Sequence, residues 1–213
     1  MTDSADVTAI VLAGGKSSRF GRPKLDERLE GSSLLAHAVG AVGAVAGEVV
    51  LALPQGAGSP DLAGLASVVG VRTVHDPEPF GGPLVGLSAA LAVTTTPFAI
   101  VVGGDMPRLV PAVLAAMLAE LEAHDVANGA SVPDAVVLAQ PGGGRPLPCA
   151  LRVPVARLAT DHALATGERS LRAMLAALRV RELPEASWRA LDPSADTLID
   201  IDVPADLEGL KES

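Results

Sequence analysis

"TAIVLAGGKSSRFGRPKL", residues 8–25, decides the fold. Its first part is an almost unbroken apolar run, and its second part is a glycine-bearing loop that carries four cations. An apolar run without polar alternation is the pattern of a central strand in a parallel sheet, covered on both faces. Lys16, Arg19, Arg22 and Lys24 lie close together, with no acid between Asp6 and Asp26, in a chain whose net charge is −9. In an open α/β sheet a ligand binds beyond the carboxyl ends of the strands, and this loop leaves the carboxyl end of the first one. Glycines there let backbone N–H groups approach an anion. Arg19 offers a planar fork suited to phosphate, Lys24 offers a point charge, and Pro23 fixes the backbone beside it. The loop therefore reads as a phosphate cradle; the competing reading is a solvated turn after a core strand.

Outward from this stretch, strands and helices alternate. Helices are predicted over 34–45, 84–93, 110–123, 155–165 and 170–179. Strands are predicted at 48–53, at "VRTVHD" ending in Asp76, over 97–105, over 134–140, at "LPCALRV" and at "TLIDIDVP". "PADLEGLK" reads as a terminal helix with Pro204 near its start. This order implies βαβ units and an α/β fold: a Rossmann-like three-layer sandwich with a mostly parallel central sheet. No linker divides the 213 residues, so one domain is expected, with 140–181 as a possible subsidiary lobe.

Composition narrows the function. An excess of 25 acids over 16 bases argues against a general nucleic-acid surface but leaves room for a small anion in a local basic pocket. The lone Cys149 excludes an intramolecular disulfide and a cysteine metal cluster. His37, His75, His124 and His162 are scattered without ligand spacing. The N-terminus lacks the basic region of a secretory signal. The uncharged stretch 79–104 imitates a membrane span, but Pro83, Thr94 to Thr96, Pro97 and the pair Gly103-Gly104 break it into helix, turn and strand. A cytoplasmic protein with no nucleic-acid or membrane partner is expected, as a monomer or weak homo-oligomer.

Two familiar motifs fail. "GKS" at positions 15–17 would need a P-loop glycine at position 10, which is Ile10. "GLSAA" at 86–90 resembles a nucleophile elbow around Ser88, but no strand leads directly into it, so a serine hydrolase is a distant alternative.

"LAGGKSSRFGRPK", followed in order by "HDPEPFGGPLVGLSAAL", "VVGGDMP", "GERSLRAML" and "IDIDVPADL", resembles the MobA-like nucleotidyltransferases, the family of molybdenum cofactor guanylyltransferase. The resemblance implies a Mg2+-dependent transfer of GMP from GTP to a phosphorylated acceptor of the molybdopterin type, with release of pyrophosphate. It implies that Leu12, Ala13, Gly14 and Gly15 form the nucleotide loop, with Arg19 and Lys24 on the phosphates. Asp76 would read guanine, with Gly82 beside the base, and Asp105 would hold Mg2+ and act with Lys24 and Arg19 in catalysis. About 1–139 would bind nucleotide and about 140–213 the acceptor, with Arg145, Arg169 and Asp200 as acceptor-side candidates.

Two departures bear on the substrate. Family members that act on molybdopterin typically carry asparagines where this chain has Asp200 and Asp202, which makes Asp202 a candidate second metal ligand. Alternation places Asp200 and Asp202 on one face of the predicted late strand, opposite Ile199, Ile201 and Val203. Pro23 stands where guanylyltransferases usually have aspartate, and "GRPKL" is commoner in relatives that use CTP. "LAGG" and "GGPLVGL" lean toward guanine. A cytidylyltransferase, another nucleotidyltransferase, or a nucleotide-binding module without turnover are the remaining alternatives.

Overall fold

The computed structural model describes residues 3–14, 24–58, 60, 62, 70–78, 81–123 and 132–212. Its elements are β1 (Val7–Leu12), a hairpin of β2 (Arg28–Leu29) and β3 (Ser32–Ser33), α1 (Leu34–Gly43), β4 (Glu48–Leu53), β5 (Val71–His75) and α2 (Pro83–Val93). There follow β6 (Phe98–Gly103), α3 (Pro111–Glu122), β7 (Ala135–Leu138), β8 (Cys149–Arg152), α4 (Val153–Ala165), α5 (Leu171–Ala176), β9 (Val180–Leu183), α6 (Glu185–Arg189) and α7 (Pro204–Glu212).

One seven-stranded sheet runs β5-β4-β1-β6-β8-β7-β9, parallel except for β8, which is antiparallel to both neighbours. The side-chain period of two explains the three layers. Val7, Ala9 and Val11 of β1 join Val49 and Leu51 of β4 and Ile100 and Val102 of β6 in one core, under α1 and α3. Ile10 and Leu12 join Val50, Ala52, Ala99 and Val101 in the other, under α2 and α4. Both faces of each central strand are thus dry, and each large aliphatic side chain buried this way contributes roughly 1.5–3 kcal/mol. The α/β class and the mostly parallel sheet agree with the sequence reading.

The expected subsidiary lobe at 140–181 is instead woven into the same sheet, with β8 inserted between β6 and β7. The strand expected from "TLIDIDVP" does not form. Residues Asp196–Leu198 make a 3-10 turn, and the amides of Asp202 and Val203 donate to the Asp206 carboxylate at 2.7 and 2.8 Å. Those amides are committed to a helix-capping side chain and leave no ladder to build. The alternation survives without the strand: Ile201 is buried with Leu29, Leu34 and Leu207, whereas Asp200 and Asp202 face out. The short β2–β3 hairpin, β9 and α6 were not anticipated. The last carries Trp188, fully buried, whose indole N–H donates to the carbonyl of Ala139 at 2.9 Å.

At the edge of the sheet away from the glycine loop, the buried Asp134 accepts three bonds from Arg179: from Nε at 2.8 Å, Nη2 at 2.7 Å and the amide at 3.1 Å. These bonds, chiefly those of the side chain, hold its carboxyl below the usual carboxylate range. A depressed folded value means that the stabilisation is present above the unfolded carboxylate value and is lost as pH falls below it. Asp134→Asn is expected to lower the melting temperature by several degrees at pH 7, with a deficit that shrinks on acidification below about pH 4. Thermal denaturation of both proteins across pH 3–7 checks this; a deficit independent of pH refutes it.

Candidate active site

The strand order creates the site. Successive strands β1, β4 and β5 step outward in one direction, and the chain then returns to place β6 on the other side of β1. The connections leaving β1 and β6 therefore diverge, which opens a crevice at their carboxyl ends. The first loop residues are held on both sides: the amide of Ala13 donates to Ala52 and that of Gly104 donates to Leu12, at 2.9 and 3.0 Å. Leu12 and Ala13 are buried, and Gly14 is exposed. Gly15 and Arg19, like Lys16, Arg22 and Pro23, lie outside the described residues.

Lys24 is the first residue of a 3-10 turn Lys24–Asp26, and Leu25 packs beside Gly104. Lys24 Nζ reaches Asp105 Oδ2 at 2.8 Å and Asp202 Oδ1 at 3.5 Å. The three side chains are 14%, 30% and 61% exposed, so the lysine is the most enclosed of the three. Asp105 follows β6, and a Cβ on Gly103 would collide with its Oδ1, so this carboxylate position requires glycine there. The Asp105 carbonyl accepts from the amide of Ile201 at 3.0 Å, which ties the 199–203 segment to the end of β6. Asp206 was not identified from sequence, although a carboxylate in the first turn of a helix is a known capping signal. Its bonds from the amides of Val203 and Asp202 keep its carboxyl below the ordinary range, and Lys24 adds to this.

A second carboxylate stands along the same edge. The amide of Asp76 extends the β4–β5 ladder by donating to Leu53 at 2.9 Å. Its side chain lies between two glycines: a Cβ on Gly86 would come 2.9 Å from Oδ1, and one on Gly14 would come 3.5 Å from Oδ2. Oδ1 is buried and finds no hydrogen-bond partner among the described residues. Burial raises this carboxyl above its ordinary value, with the neighbouring His75 acting weakly in the opposite sense.

Gly82, at φ +89°, opens α2, and a Cβ there would lie 2.9 Å from the carbonyl oxygen of Arg169. That carbonyl also accepts from the amide of Leu84 at 3.3 Å. The Arg169 guanidinium turns the other way, onto the carbonyls of Leu164 and Glu168 at the end of α4. Arg145 pairs with Asp200 at 2.8 Å and with the carbonyl of Leu198 at 3.2 Å. The fold thus brings Lys24, Asp105 and Asp202 together and sets Asp76 against Gly14. It joins Arg145 to Asp200 and holds Arg169 beside Gly82. Ser88 sits inside α2 rather than on a strand-to-helix turn, which removes the nucleophile-elbow reading.

Asp105 and Asp202 present hard oxygen donors to one shared ammonium. Among the described residues no third acid, His or Cys completes an all-protein metal cage. That donor set fits Mg2+, which takes one or two carboxylates and fills its remaining positions with water and phosphate oxygens. No helix of the described residues is long and apolar enough to cross a membrane.

The MobA-like NTP transferase domain matches residues 9–183. A probable molybdenum cofactor guanylyltransferase of Chloroflexus aggregans is 32% identical over 209 residues, covering 95% of this chain and 92% of that protein. A molybdenum cofactor guanylyltransferase of Desulfosudis oleivorans is 30% identical, over 95% and 93% of the two chains. Among solved structures, a molybdopterin-guanine dinucleotide biosynthesis protein A of Archaeoglobus fulgidus superposes with a TM-score of 0.75 at 23% identity, covering 96% and 97%. A 2-C-methyl-D-erythritol 4-phosphate cytidylyltransferase of Thermus thermophilus superposes with a TM-score of 0.65 at 17% identity, covering 96% and 97%. The structural likenesses speak to the fold alone.

Proposed function

Because the chain belongs to the MobA-like NTP transferase family, a family of nucleotidyltransferases, we propose that it transfers GMP from GTP to the terminal phosphate of a molybdopterin-type acceptor. The observation that carries the guanine reading is the buried Oδ1 of Asp76, without a hydrogen-bond partner among the described residues, in its two-glycine slot. Guanine offers two adjacent donors, N1–H and N2–H, to a carboxylate. Cytosine offers one donor beside the N3 lone pair, which a carboxylate repels, so the same slot disfavours CTP.

The geometry fits an extended nucleotide. From β5, which Asp76 follows, to β6, which Asp105 follows, is three strand spacings, about 14 Å. With the base at Asp76, the triphosphate crosses the end of β1 toward Lys24. In this reading the loop amides of Gly14 and Gly15, with Arg19 and Lys24, bind and orient the phosphates. Asp105 and Asp202 would hold Mg2+, whose chemistry there is to offset charge developing on the α-phosphate and the departing pyrophosphate. The acceptor would approach from the 140–213 side, where Arg145, Asp200 and Arg169 lie. An acceptor phosphate oxygen attacks the α-phosphorus of GTP. The bond to the bridging oxygen breaks, and that oxygen leaves with the electron pair as pyrophosphate. No side-chain base is required, since the attacking phosphate is ionised at neutral pH; catalysis is positioning and charge neutralisation.

A thermal-shift panel of GTP, CTP, ATP and UTP, with and without Mg2+, tests the reading. A ligand that binds only the folded chain raises the melting temperature in proportion to the logarithm of its concentration over Kd. The largest shift is expected for GTP with Mg2+. A larger shift with CTP would replace the guanylyl by a cytidylyl assignment, and no shift with any nucleotide would overturn the transferase reading.

A further inference from the structure

Resting on that reading, we propose that the Lys24 ammonium occupies the cation position between Asp105 and Asp202 in the nucleotide-free protein, so that a divalent cation enters only as nucleotide phosphate draws the lysine away. Three observations carry this. Lys24 Nζ contacts both carboxylates, Asp105 Oδ2 at 2.8 Å and Asp202 Oδ1 at 3.5 Å, so one cation already bridges the two groups that a metal would share. The lysine side chain is the most enclosed of the three, so its charge is screened less by water than a surface ion pair would be. The backbone around the three groups is held independently of the ammonium: the Lys24 carbonyl accepts from Glu27, the Asp105 carbonyl accepts from Ile201, and Asp206 caps Asp202. The side chain can therefore move while the site keeps its frame.

The chemistry makes the exchange conditional. The two carboxylates that touch the ammonium keep one negative charge between them after pairing with it. The nearby Asp206 carboxylate is already engaged by the amides of Asp202 and Val203, so the cluster offers few free oxygens to an ion that sheds its water reluctantly. A polyphosphate changes both terms. It gives the ammonium a more highly charged partner, and it supplies the oxygens that two carboxylates alone lack. Nucleotide and cation affinities should then be strongly coupled, and by linkage each must raise the other by the same factor. The coupling guards the site against holding a metal that has no nucleotide to act on.

The test uses Mn2+ as the probe, with binding to the intact, nucleotide-free chain read by electron paramagnetic resonance of the free ion. Lys24→Met, close in length and without charge, is expected to bind Mn2+ roughly ten- to a hundredfold more tightly than the unaltered chain, the size of one charge-assisted bond. Arg108→Gln removes an equal charge from the Glu30 pair and is expected to change Mn2+ affinity less than about twofold, as befits an exposed pair. Asp105→Asn should abolish the gain in the Lys24→Met background. Equal affinity in Lys24→Met and the unaltered chain refutes the exchange, as does an equal gain from Arg108→Gln, which would mark a bulk charge effect. GTP binding measured on the same samples separates the two ideas. If GTP with Mn2+ binds while the Lys24→Met gain is missing, only the exchange fails; if GTP does not bind at all, the nucleotide reading fails with it.

Discussion

Asp76→Asn is expected to lower kcat/KM for GTP by about 10²–10⁴, because one of two charge-assisted hydrogen bonds, each roughly 1.5–3 kcal/mol, becomes a donor–donor clash and the other loses its charge. The amide is isosteric, so the slot between Gly14 and Gly86 stays filled. One of its two ends is now a donor that faces a guanine donor. The same substitution is expected to raise the melting temperature of the free protein by a few degrees, because it removes a half-buried charge whose Oδ1 has no hydrogen-bond partner among the described residues. The sign with pH follows from the raised folded value of this carboxyl. An acid with a raised folded value costs stability once pH climbs above its unfolded value, so the gain from Asp76→Asn should be present at neutral pH and vanish in acid. GTP affinity of the unaltered chain should weaken as pH falls through the raised value, and the variant should lack that dependence. Titration calorimetry with GTP at several pH values, beside thermal melts, reads both effects. Tight GTP binding by Asp76→Asn would end the base assignment, and a lower melting temperature would show that the carboxylate is structural.

Much of this was legible because single local rules dominate in particular places. Residues 9–13 and 98–103 are apolar without alternation, and only a strand covered on both faces satisfies such a run, so β1, β6 and the parallel sheet could be read directly. Asp76 and Asp105 could be placed at the ligand-binding edge of the sheet because each follows a strand there, and the roles proposed for them come from the resemblance. What escaped depends on distant partners. β9 reads Val-Arg-Glu-Leu, too short and too charged to announce itself, and it forms because β7 offers a parallel neighbour and Glu120 pairs with Arg181 at 2.8 Å. Trp188 gives no period at all; its burial is settled by the carbonyl of Ala139, 49 positions away. The 199–203 segment misled because alternation is necessary for a half-buried strand but does not make one. Ile201 does point inward, yet the amides that would have made a ladder belong to Asp206. The closeness of Lys24 to both Asp105 and Asp202 joins three parts of the chain, and no local pattern encodes it.

Asp105→Asn should lower kcat for pyrophosphate release by about 10²–10³, the usual cost of removing a group that stabilises charge in the transition state, with a much smaller effect on KM for GTP. The fold should tolerate the change, since the tie from Ile201 to residue 105 is main chain and the space beside Gly103 is untouched. Asp202→Asn should cost less, because that carboxylate is 61% exposed, lies 3.5 Å rather than 2.8 Å from Lys24, and can be replaced in part by water. The ranking carries more information than either number. A site built on two equivalent ligands predicts equal losses. A site in which Asp105 is fixed by β6 and Asp202 is carried on a capped loop predicts that Asp105 dominates, and that Asp206→Ala reproduces the Asp202 loss by releasing the Asp202 and Val203 amides. Single-turnover assays with GTP, a molybdopterin-type acceptor and a Mg2+ titration distinguish the two. Loss of activity in Asp202→Asn equal to that in Asp105→Asn would place the two aspartates on the same footing and refute this division of roles.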